Sequence, residues 1–358
     1  MRNVLILCLH RPNRSPSQRY RFEEYLPYLE QHGYVFEFSY LLNEQDDRIF
    51  YQPGHYFQKF CIVAKSTWKR LLNVFRARRY DLAFVQREAY MLGTSFFERA
   101  IAARIPLIYD FDDAIWMPVV SEGNKKLAFL KNAAKTAELV RCAALVFAGN
   151  AYLAAYAKQY NPNVVIIPTT LDTVKHKLVN KSPTERVCIG WSGSFSTVPH
   201  FELAIPALEI LQKQYGEKVY FKVIGDSRYV NNQLGIQGIA WSAERELEEL
   251  AEIDIGIMPL PDDEWSKGKC GFKGLLYMSL GIPAVLSPVG VNTTIITHGE
   301  NGFLAGSTGE WVDVLSMLVE NASLRKSIGL QGRKTVEEKY SVEAWQAKYL
   351  ALFEGLTN

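Results

Sequence analysis

The stretch Asp254–Gly290, DIGIMPLPDDEWSKGKCGFKGLLYMSLGIPAVLSPVG, decides the reading of this chain. Its apolar opening, Ile255–Met258, suits a buried strand, because parallel strands covered on both faces carry continuous aliphatic runs. A polar loop rich in Gly and Lys follows, then a short apolar helix over about Lys273 to Leu280 and a second strand at Ala284–Leu286. Gly281 and Pro283 end the helix, Gly as a cap and Pro as a residue that cannot continue it. Lys267, Gly268, Lys269, Gly271, Lys273 and Gly274 thus gather ammonium charge and slim backbone where a helix begins. A helix N-terminus suits a phosphate, since its N–H groups and its dipole both favour negative charge. The same residues also fit a plain strand–helix–strand turn with solvated lysines.

The chain has 358 residues, 48 % hydrophobic and 22 % charged, an ordinary globular composition with length for two domains. Its formal net charge of +2 gives no global field for nucleic acid, so any basic surface is local. The five cysteines, Cys8, Cys61, Cys142, Cys188 and Cys270, are scattered in apolar or small-residue contexts. They read as buried thiols of a reducing cytosol and not as disulfides or zinc ligands. The opening run Val4–Leu9 is too short to span a membrane, lacks a cleavage pattern and reads as a first buried strand.

From that strand the chain runs through a loop, His10–Ser17, into a helix expected over Gln18–Gln31 and a strand at Val35–Leu41. Strand, loop, helix, strand is the opening of a doubly wound domain, in which ligands bind beyond the strands' carboxyl ends. Arg11, Arg14, Arg19 and Arg21 lie in or after that first loop, either as ligand contacts or as solvated surface. Between Asp47 and Asp81 there is no acidic residue, while Arg48, Lys59, Lys65, Lys69, Arg70, Arg76, Arg78 and Arg79 all occur. Within this segment Phe57, Phe60, Cys61, Ala64, Trp68, Leu71, Leu72 and Phe75 recur at helical spacing. An aromatic face with a cationic complement suits the interface of an anionic bilayer over residues 56–80, or a core-packed helix with a basic solvent side.

Further strands are expected at Asp81–Gln86, followed by Arg87, and at Pro106–Tyr109, with a helix at about 93–103 between them. The second of these ends in Asp110-Phe111-Asp112-Asp113-Ala114-Ile115-Trp116. Carboxylates crowded at a strand end repel and raise one another's pKa, so they call for a role. A divalent metal is one, though no His or further acid clusters with them; capping of the next helix by Asp112 or Asp113 is another. Helices are expected at Lys125–Ala143 and Ala151–Gln159, a strand at Val164–Ile167 and a polar linker over about Asp172–Glu185. The second domain repeats the theme: strand Val187–Trp191, loop Ser192-Gly193-Ser194, a helix over about 199–215, then strand Tyr220–Ile224 with Gly225. A strand at Ile236–Trp241 and a helix at Glu244–Ala251 precede the opening stretch, and helices close the chain.

The run Lys269–Gly290, KCGFKGLLYMSLGIPAVLSPVG, followed by Gly299–Leu304 (GENGFL), resembles the donor-binding half of the two-domain GT-B glycosyltransferases, particularly the retaining family 4. The resemblance implies an α/β fold of two doubly wound, Rossmann-like domains facing across a cleft. It assigns 1–171 to the acceptor side, 172–340 to the nucleotide-sugar donor and 341–358 to a helix crossing back, with Trp345 and Tyr349 as its contacts. It implies transfer of a hexosyl group from a nucleotide-diphosphate donor to a hydroxyl of a glycan or lipid-linked acceptor, with retention. No metal and no cofactor are implied, and the enzyme would be cytoplasmic or peripheral at the inner face of the membrane. Lys273 and Lys269 would hold the diphosphate, with Ser192, Gly193, Ser194, Gly225, Gly271 and Gly274 as its loops and Pro259 beside the base. Asp110, Asp112 and Asp113 would face the reacting sugar, where the family often has a His. Arg19, Arg21 and Arg87 would bind acceptor. Leu276 stands where the family usually places a ribose-binding Glu, and Gly268 stands where its acidic partner belongs. That departure keeps a non-catalytic nucleotide- or glycan-binding protein of this fold in play, and a nucleotide-sugar epimerase shares the architecture.

Overall fold

The computed structural model describes residues 1–117, 130, 132–179 and 185–357. The chain forms two compact units, Met1–Thr169 with Gln346–Asn358, and Thr170–Trp345.

The first unit contains the strands β1 (Arg2–His10), β2 (Tyr34–Leu42), β3 (Leu82–Gln86), β4 (Leu107–Phe111), β5 (Leu145–Ala148) and β6 (Val164–Ile166). They pair in parallel in the order β2-β1-β3-β4-β5-β6. Helices α1 (Pro16–Arg21), α2 (Leu26–Gln31), α3 (Glu44–Phe50), α4 (Tyr56–Arg76), α5 (Phe96–Ala102), α6 (Ala134–Cys142) and α7 (Ala151–Lys158) lie between the strands. Every residue of β3 and β4 is buried, as parallel strands covered on both faces require.

The second unit contains β7 (Val187–Ser192), β8 (Val219–Ile224), the hairpin β9 (Val230–Asn231) and β10 (Ile236–Gln237), β11 (Ile255–Met258), β12 (Ala284–Leu286) and β13 (Phe303–Leu304). Its parallel sheet runs β13-β12-β11-β7-β8. The helices are α8 (Val198–Glu202), α9 (Ile205–Tyr215), α10 (Glu246–Ala251), α11 (Glu264–Lys267), α12 (Phe272–Ser279), α13 (Asn292–Ile295), α14 (Thr308–Glu320) and α15 (Ala322–Lys339). Trp191, Phe201, Leu208, Ile257 and Leu315 are among the buried residues of its core. Helix α16 (Val342–Thr357) begins in this unit and belongs to the first from Gln346 onward. Strand order reverses between β1 and β3 in one unit and between β7 and β11 in the other. Both sheets are therefore doubly wound, and in such sheets ligands settle at the reversal.

Two expected helices are broken by proline. The helix over Gln18–Gln31 is instead α1, a single 3-10 turn at Glu23–Tyr25, and α2, where Pro27 sits in the first turn. Pro lacks an N–H and its ring clashes with the carbonyl four residues back, so it starts a helix and does not continue one. Pro206 separates α8 from α9 in the same way. The strand expected over Ile236–Trp241 shrinks to a two-residue hairpin strand and a bridge from Ile239 to Ile224. Of the helix expected at Lys125–Ala143, the part from Ala134 to Cys142 is present, and positions 125–129 and 131 lie outside the described residues. Positions 180–184 of the expected linker lie outside them as well.

Helix α4 reverses the core-packed reading. Its aromatic side faces outward, with Phe57 78 %, Phe60 67 %, Trp68 65 % and Phe75 79 % exposed. The inward side carries Lys59, Ser66, Arg70 and Asn73. Arg70, wholly buried, donates to the carbonyls of Cys8 and Ala89, to Ser39 Oγ and to Asn73 Oδ1, and Lys59 donates to the Gln52 carbonyl. Buried polar groups are tolerated when hydrogen-bonded, as Lys59, Arg70 and Asn73 are, whereas Ser66 Oγ is buried without a partner. Cys61, expected to be buried, is exposed on the outward side, while Cys8, Cys188 and Cys270 are buried.

In α16, Tyr349 stacks on Tyr25 with centroids 4.1 Å apart, meets Phe147 edge-on, and directs its hydroxyl 3.4 Å from the Arg21 carbonyl. Trp345 stays with the second unit, donating from Nε1 to the Lys339 carbonyl. Truncating a fully buried aromatic costs about 3–5 kcal/mol, so Tyr349→Ala should lower the stability read by urea unfolding by that amount. Tyr349→Phe, which keeps the ring and loses one long hydrogen bond, should cost under about 1.5 kcal/mol.

Candidate active site

The reversal in the second unit is bounded by the loops that leave β7 and β11. Gly193 and Gly225 let the loops after β7 and β8 cross in contact: a Cβ on Gly225 would lie 1.8 Å from the Gly193 carbonyl oxygen, and its φ is +131°. A Cβ on Gly193 would meet the Trp191 ring at 2.2 Å. Beyond Gly193, Ser194, Phe195 and Ser196 are exposed, and the Ser194 amide donates to Thr197 Oγ1 in a tight turn before α8.

The loop after β11 is pinned from two sides. The Leu260 amide, next to buried Pro259, donates to Ser287 Oγ, and Asp263 caps α11 by accepting from the Ser266 amide at 2.7 Å. Gly271, in the left-handed region at φ +67°, then opens α12, where a Cβ would strike Ile295 at 2.3 Å. Gly274 packs α12 against Leu286 of β12. Tyr277 fastens the helix to the sheet. Its ring fills the space a Gly256 Cβ would occupy, and its hydroxyl accepts from the Ser192 amide at 2.8 Å.

This scaffold sorts the lysines. Lys267 is held by Glu264 at 2.8 Å. Lys269 lies over the Trp265 ring at 4.6 Å, and Lys273 over the Trp191 ring at 5.4 Å. Both charges reach His200 of α8, whose pKa is lowered first by burial and then by Lys273 and Lys269. Two ammonium groups, the positive end of α12 and a small-residue turn thus share one end of the sheet, an arrangement that favours a diphosphate. Leu276 does not serve as a donor ligand. It is 1 % exposed and has no polar atom, so it is part of the helix's buried face.

His200, Ser266 and Asn292 escaped the sequence reading. Ser266 Oγ and Asn292 Oδ1 are buried without a hydrogen-bond partner, and Asn292 Oδ1 lies 3.4 Å from where a Gly271 Cβ would be. The available signal was the position of Asn292 just after Pro288 and Gly290, beyond the strand expected at Ala284–Leu286.

In the first unit the loops at the reversal gather a second polar group. Arg21 and Asp110, both wholly buried, form a bidentate ion pair, and Arg21 also donates to the Ile167 carbonyl. Arg21 therefore does not present itself to an acceptor, nor Asp110 to a sugar. Burial raises the Asp110 carboxyl to about 6 against the opposing pull of Arg21. Arg87 leaves β3 in the left-handed region, φ +59°, which is strained for a residue with a side chain. From there it donates to Asp112 and Asp113, each at 2.7 Å. Burial works to raise the Asp112 carboxyl, but the Arg87 charge and hydrogen bond outweigh it and hold it at about 2. Among the described residues no group of three His, Cys, Asp or Glu could hold a metal ion. Arg19 lies over the Tyr20 ring and donates to its hydroxyl.

Asp47 and His10 complete this group, and neither was singled out in the sequence. Asp47 accepts from Arg11 at 3.2 Å and Arg14 at 2.5 Å. His10, at the carboxyl end of β1, has Nε2 at 3.2 Å from the Tyr51 hydroxyl and Nδ1 3.8 Å from Asp47, without a hydrogen-bond partner for Nδ1. Burial lowers its pKa to about 4, Asp47 opposing and Arg14 and Arg87 reinforcing. The imidazole is thus neutral at pH 7, with one ring nitrogen to donate and one to accept a hydrogen bond.

Several solved structures share this architecture over essentially the whole chain, three of them as follows. HepE of Anabaena, determined with UDP and glucose, is 18 % identical, with 99 % of this chain and 100 % of that one covered and a TM-score of 0.65. Sucrose-phosphate synthase of Thermosynechococcus elongatus is 12 % identical over 99 % of each chain, TM-score 0.68. A glycosyltransferase of Rickettsia africae is also 12 % identical, over 99 % of this chain and 98 % of that one, TM-score 0.68. The fold is that of the two-domain GT-B glycosyltransferases. The family model described as glycosyl transferases group 1 matches residues 186–321, which lie within the second unit. No curated protein sequence matches the chain at significance.

Tyr277→Phe leaves the buried Ser192 amide without its acceptor and should cost about 1–3 kcal/mol in urea unfolding. Folding lowers the His10 pKa from 6.5 to about 4, so the unfolded chain takes up the proton first. The contribution of His10 is whole above about pH 6.5 and is lost as pH falls towards 4, by roughly 3 kcal/mol. His10→Gln should flatten the stability–pH curve across that window.

Proposed function

We propose that the chain transfers a sugar from a nucleotide-diphosphate donor to a hydroxyl of a glycan or lipid-linked acceptor, with retention and without a metal. What carries this reading is the convergence of Lys269, Lys273 and the N-terminus of α12 at the sheet reversal of a group 1 glycosyltransferase domain. In the reaction the bond from the anomeric carbon to the diphosphate oxygen breaks, and a bond to the acceptor oxygen forms on the same face. The acceptor's proton passes to the departing diphosphate. The protein's main task is to stabilise the charge that develops there, and the two ammonium groups do so in place of a metal ion. The Gly193 turn and Gly274 let the donor approach the backbone, and the segment at Pro259 borders the base. Asp112, Asp113 and Arg87 remain the polar groups of the first unit for sugar or acceptor hydroxyls, and Arg19 for an acceptor. The expected setting is the cytoplasm or the inner face of a membrane.

Leu276 favours a second reading, a nucleotide-binding protein of this fold without transfer, because a buried leucine supplies no carboxylate to a ribose. An epimerase is less well supported, since Asp110, Asp112 and Asp113 are engaged by Arg21 and Arg87 and not poised as acid and base.

Thermal-shift measurements against UDP, GDP, ADP, CMP and dTDP, with and without EDTA, test the donor site. UDP comes first because Anabaena HepE binds it. A nucleotide at 100 times its Kd stabilises a protein by about 2.7 kcal/mol, so one diphosphate should shift the transition and do so in EDTA. Lys273→Ala should keep the fold and lower turnover of donor at least tenfold. Normal turnover in that variant would remove Lys273 from the mechanism, and nucleotide binding without transfer or donor hydrolysis would favour the second reading.

A further inference from the structure

At 3.6 residues per turn, Phe57, Phe60, Ala64, Trp68, Leu71 and Phe75 fall within about 60° of one meridian of α4, in a stripe about 27 Å long. The four aromatic residues of this stripe are each about two-thirds exposed or more, whereas the buried side of the helix combines Ile62 and Val74 with the hydrogen-bonded Lys59, Arg70 and Asn73. The fold thus buries the mixed face and leaves the aromatic one outside. A contiguous exposed apolar surface of this kind marks an interaction site.

Charge says what kind. Lys65, Lys69 and Arg76 follow one border of the stripe, about 80–120° round the helix, and exposed Arg78 and Arg79 come just after its end. From 48 to 80 there is no carboxylate. Asp46 pairs with Lys65 at 2.8 Å, and Lys69 donates to the Tyr40 carbonyl, so the cations are held in place beside the stripe. A second copy of the chain is a poor occupant, because a two-fold contact lays the patch on itself and sets these cations against their equivalents. Aromatic rings with a basic border match the headgroup–acyl boundary of an anionic bilayer, where rings and lipid phosphates are both at hand. Among the described residues no helix is long and apolar enough to cross a membrane, so the contact is peripheral.

We propose that α4 is a membrane-docking helix that lies in the plane of an anionic bilayer, with Phe57, Phe60, Trp68 and Phe75 in the boundary and Lys65, Arg76, Arg78 and Arg79 among the phosphates. This deepens the proposed membrane setting of the enzyme, yet it is measured without donor, so its failure and that of sugar transfer are separate results.

The full chain is sedimented with vesicles of phosphatidylcholine and phosphatidylglycerol in equal parts, and with vesicles of phosphatidylcholine alone. Binding should be at least tenfold tighter to the anionic vesicles and weaken with added salt. The double variant Phe60→Ser, Trp68→Ser and the triple variant Lys65→Gln, Arg76→Gln, Arg79→Gln should each bind at least tenfold more weakly. Both should keep the parent's circular dichroism and Tm, because the substituted side chains are exposed. Absence of binding by the parent overturns the proposal, as does binding indifferent to the Phe60/Trp68 change. A parent dimer that this change converts to monomer overturns it in favour of a second copy.

Discussion

The phenol of Tyr277 ties together the parts of the second unit that matter. Its ring lies where Gly256 has no side chain, and its hydroxyl accepts from the Ser192 amide at the end of β7. One residue of α12 thereby fixes that helix to β11 and β7, the two strands at the sheet reversal. The N-terminus of α12, with Lys273 one turn before Tyr277, takes its position from this contact. A parallel sheet needs the helix for crossover in any case; the Gly256–Tyr277 fit sets how closely it approaches.

The first unit achieves its geometry differently, through charge inside. Arg21 and Asp110 are both wholly buried, and Arg70 is buried among neutral acceptors. Burying ions is costly unless every donor is met, and such pairs add little net stability over apolar packing. What they do here is orient: Arg21 joins α1 to the end of β4 and to Ile167, and Arg70 joins α4 to Cys8 on β1 and Ser39 on β2. The strained backbone at Arg87 belongs to the same economy of fixed charges, its guanidinium neutralising Asp112 and Asp113 together.

That internal use of cations explains α4. A helix whose basic residues are drawn inward by backbone carbonyls turns its aromatic side to the outside. Periodicity in the sequence marked the two sides of this helix correctly, but amphipathic patterning carries no label for which side is the inside. The carbonyls that recruit Arg70 come from β1 and from Ala89 after β3, far away in sequence, so the choice was invisible locally.

The doubly wound class and the places of the main sheet strands were legible from the sequence, because aliphatic runs, capping glycines and prolines act over a few residues. Pro27 and Pro206 could have been given more weight for the same reason. What the tertiary structure alone decided is the surroundings of each charged residue. Arg21 and Asp110 look like surface chemistry in the sequence and are sealed against each other, while Lys269 and Lys273 keep their ammonium groups over indole rings at the sheet's end. His10, Asp47 and His200 gained their environments from partners on other elements. Hydrophobic period and turn chemistry are local and are written in the chain. Desolvation and charge pairing depend on neighbours brought together by folding, and so they belong to the structure.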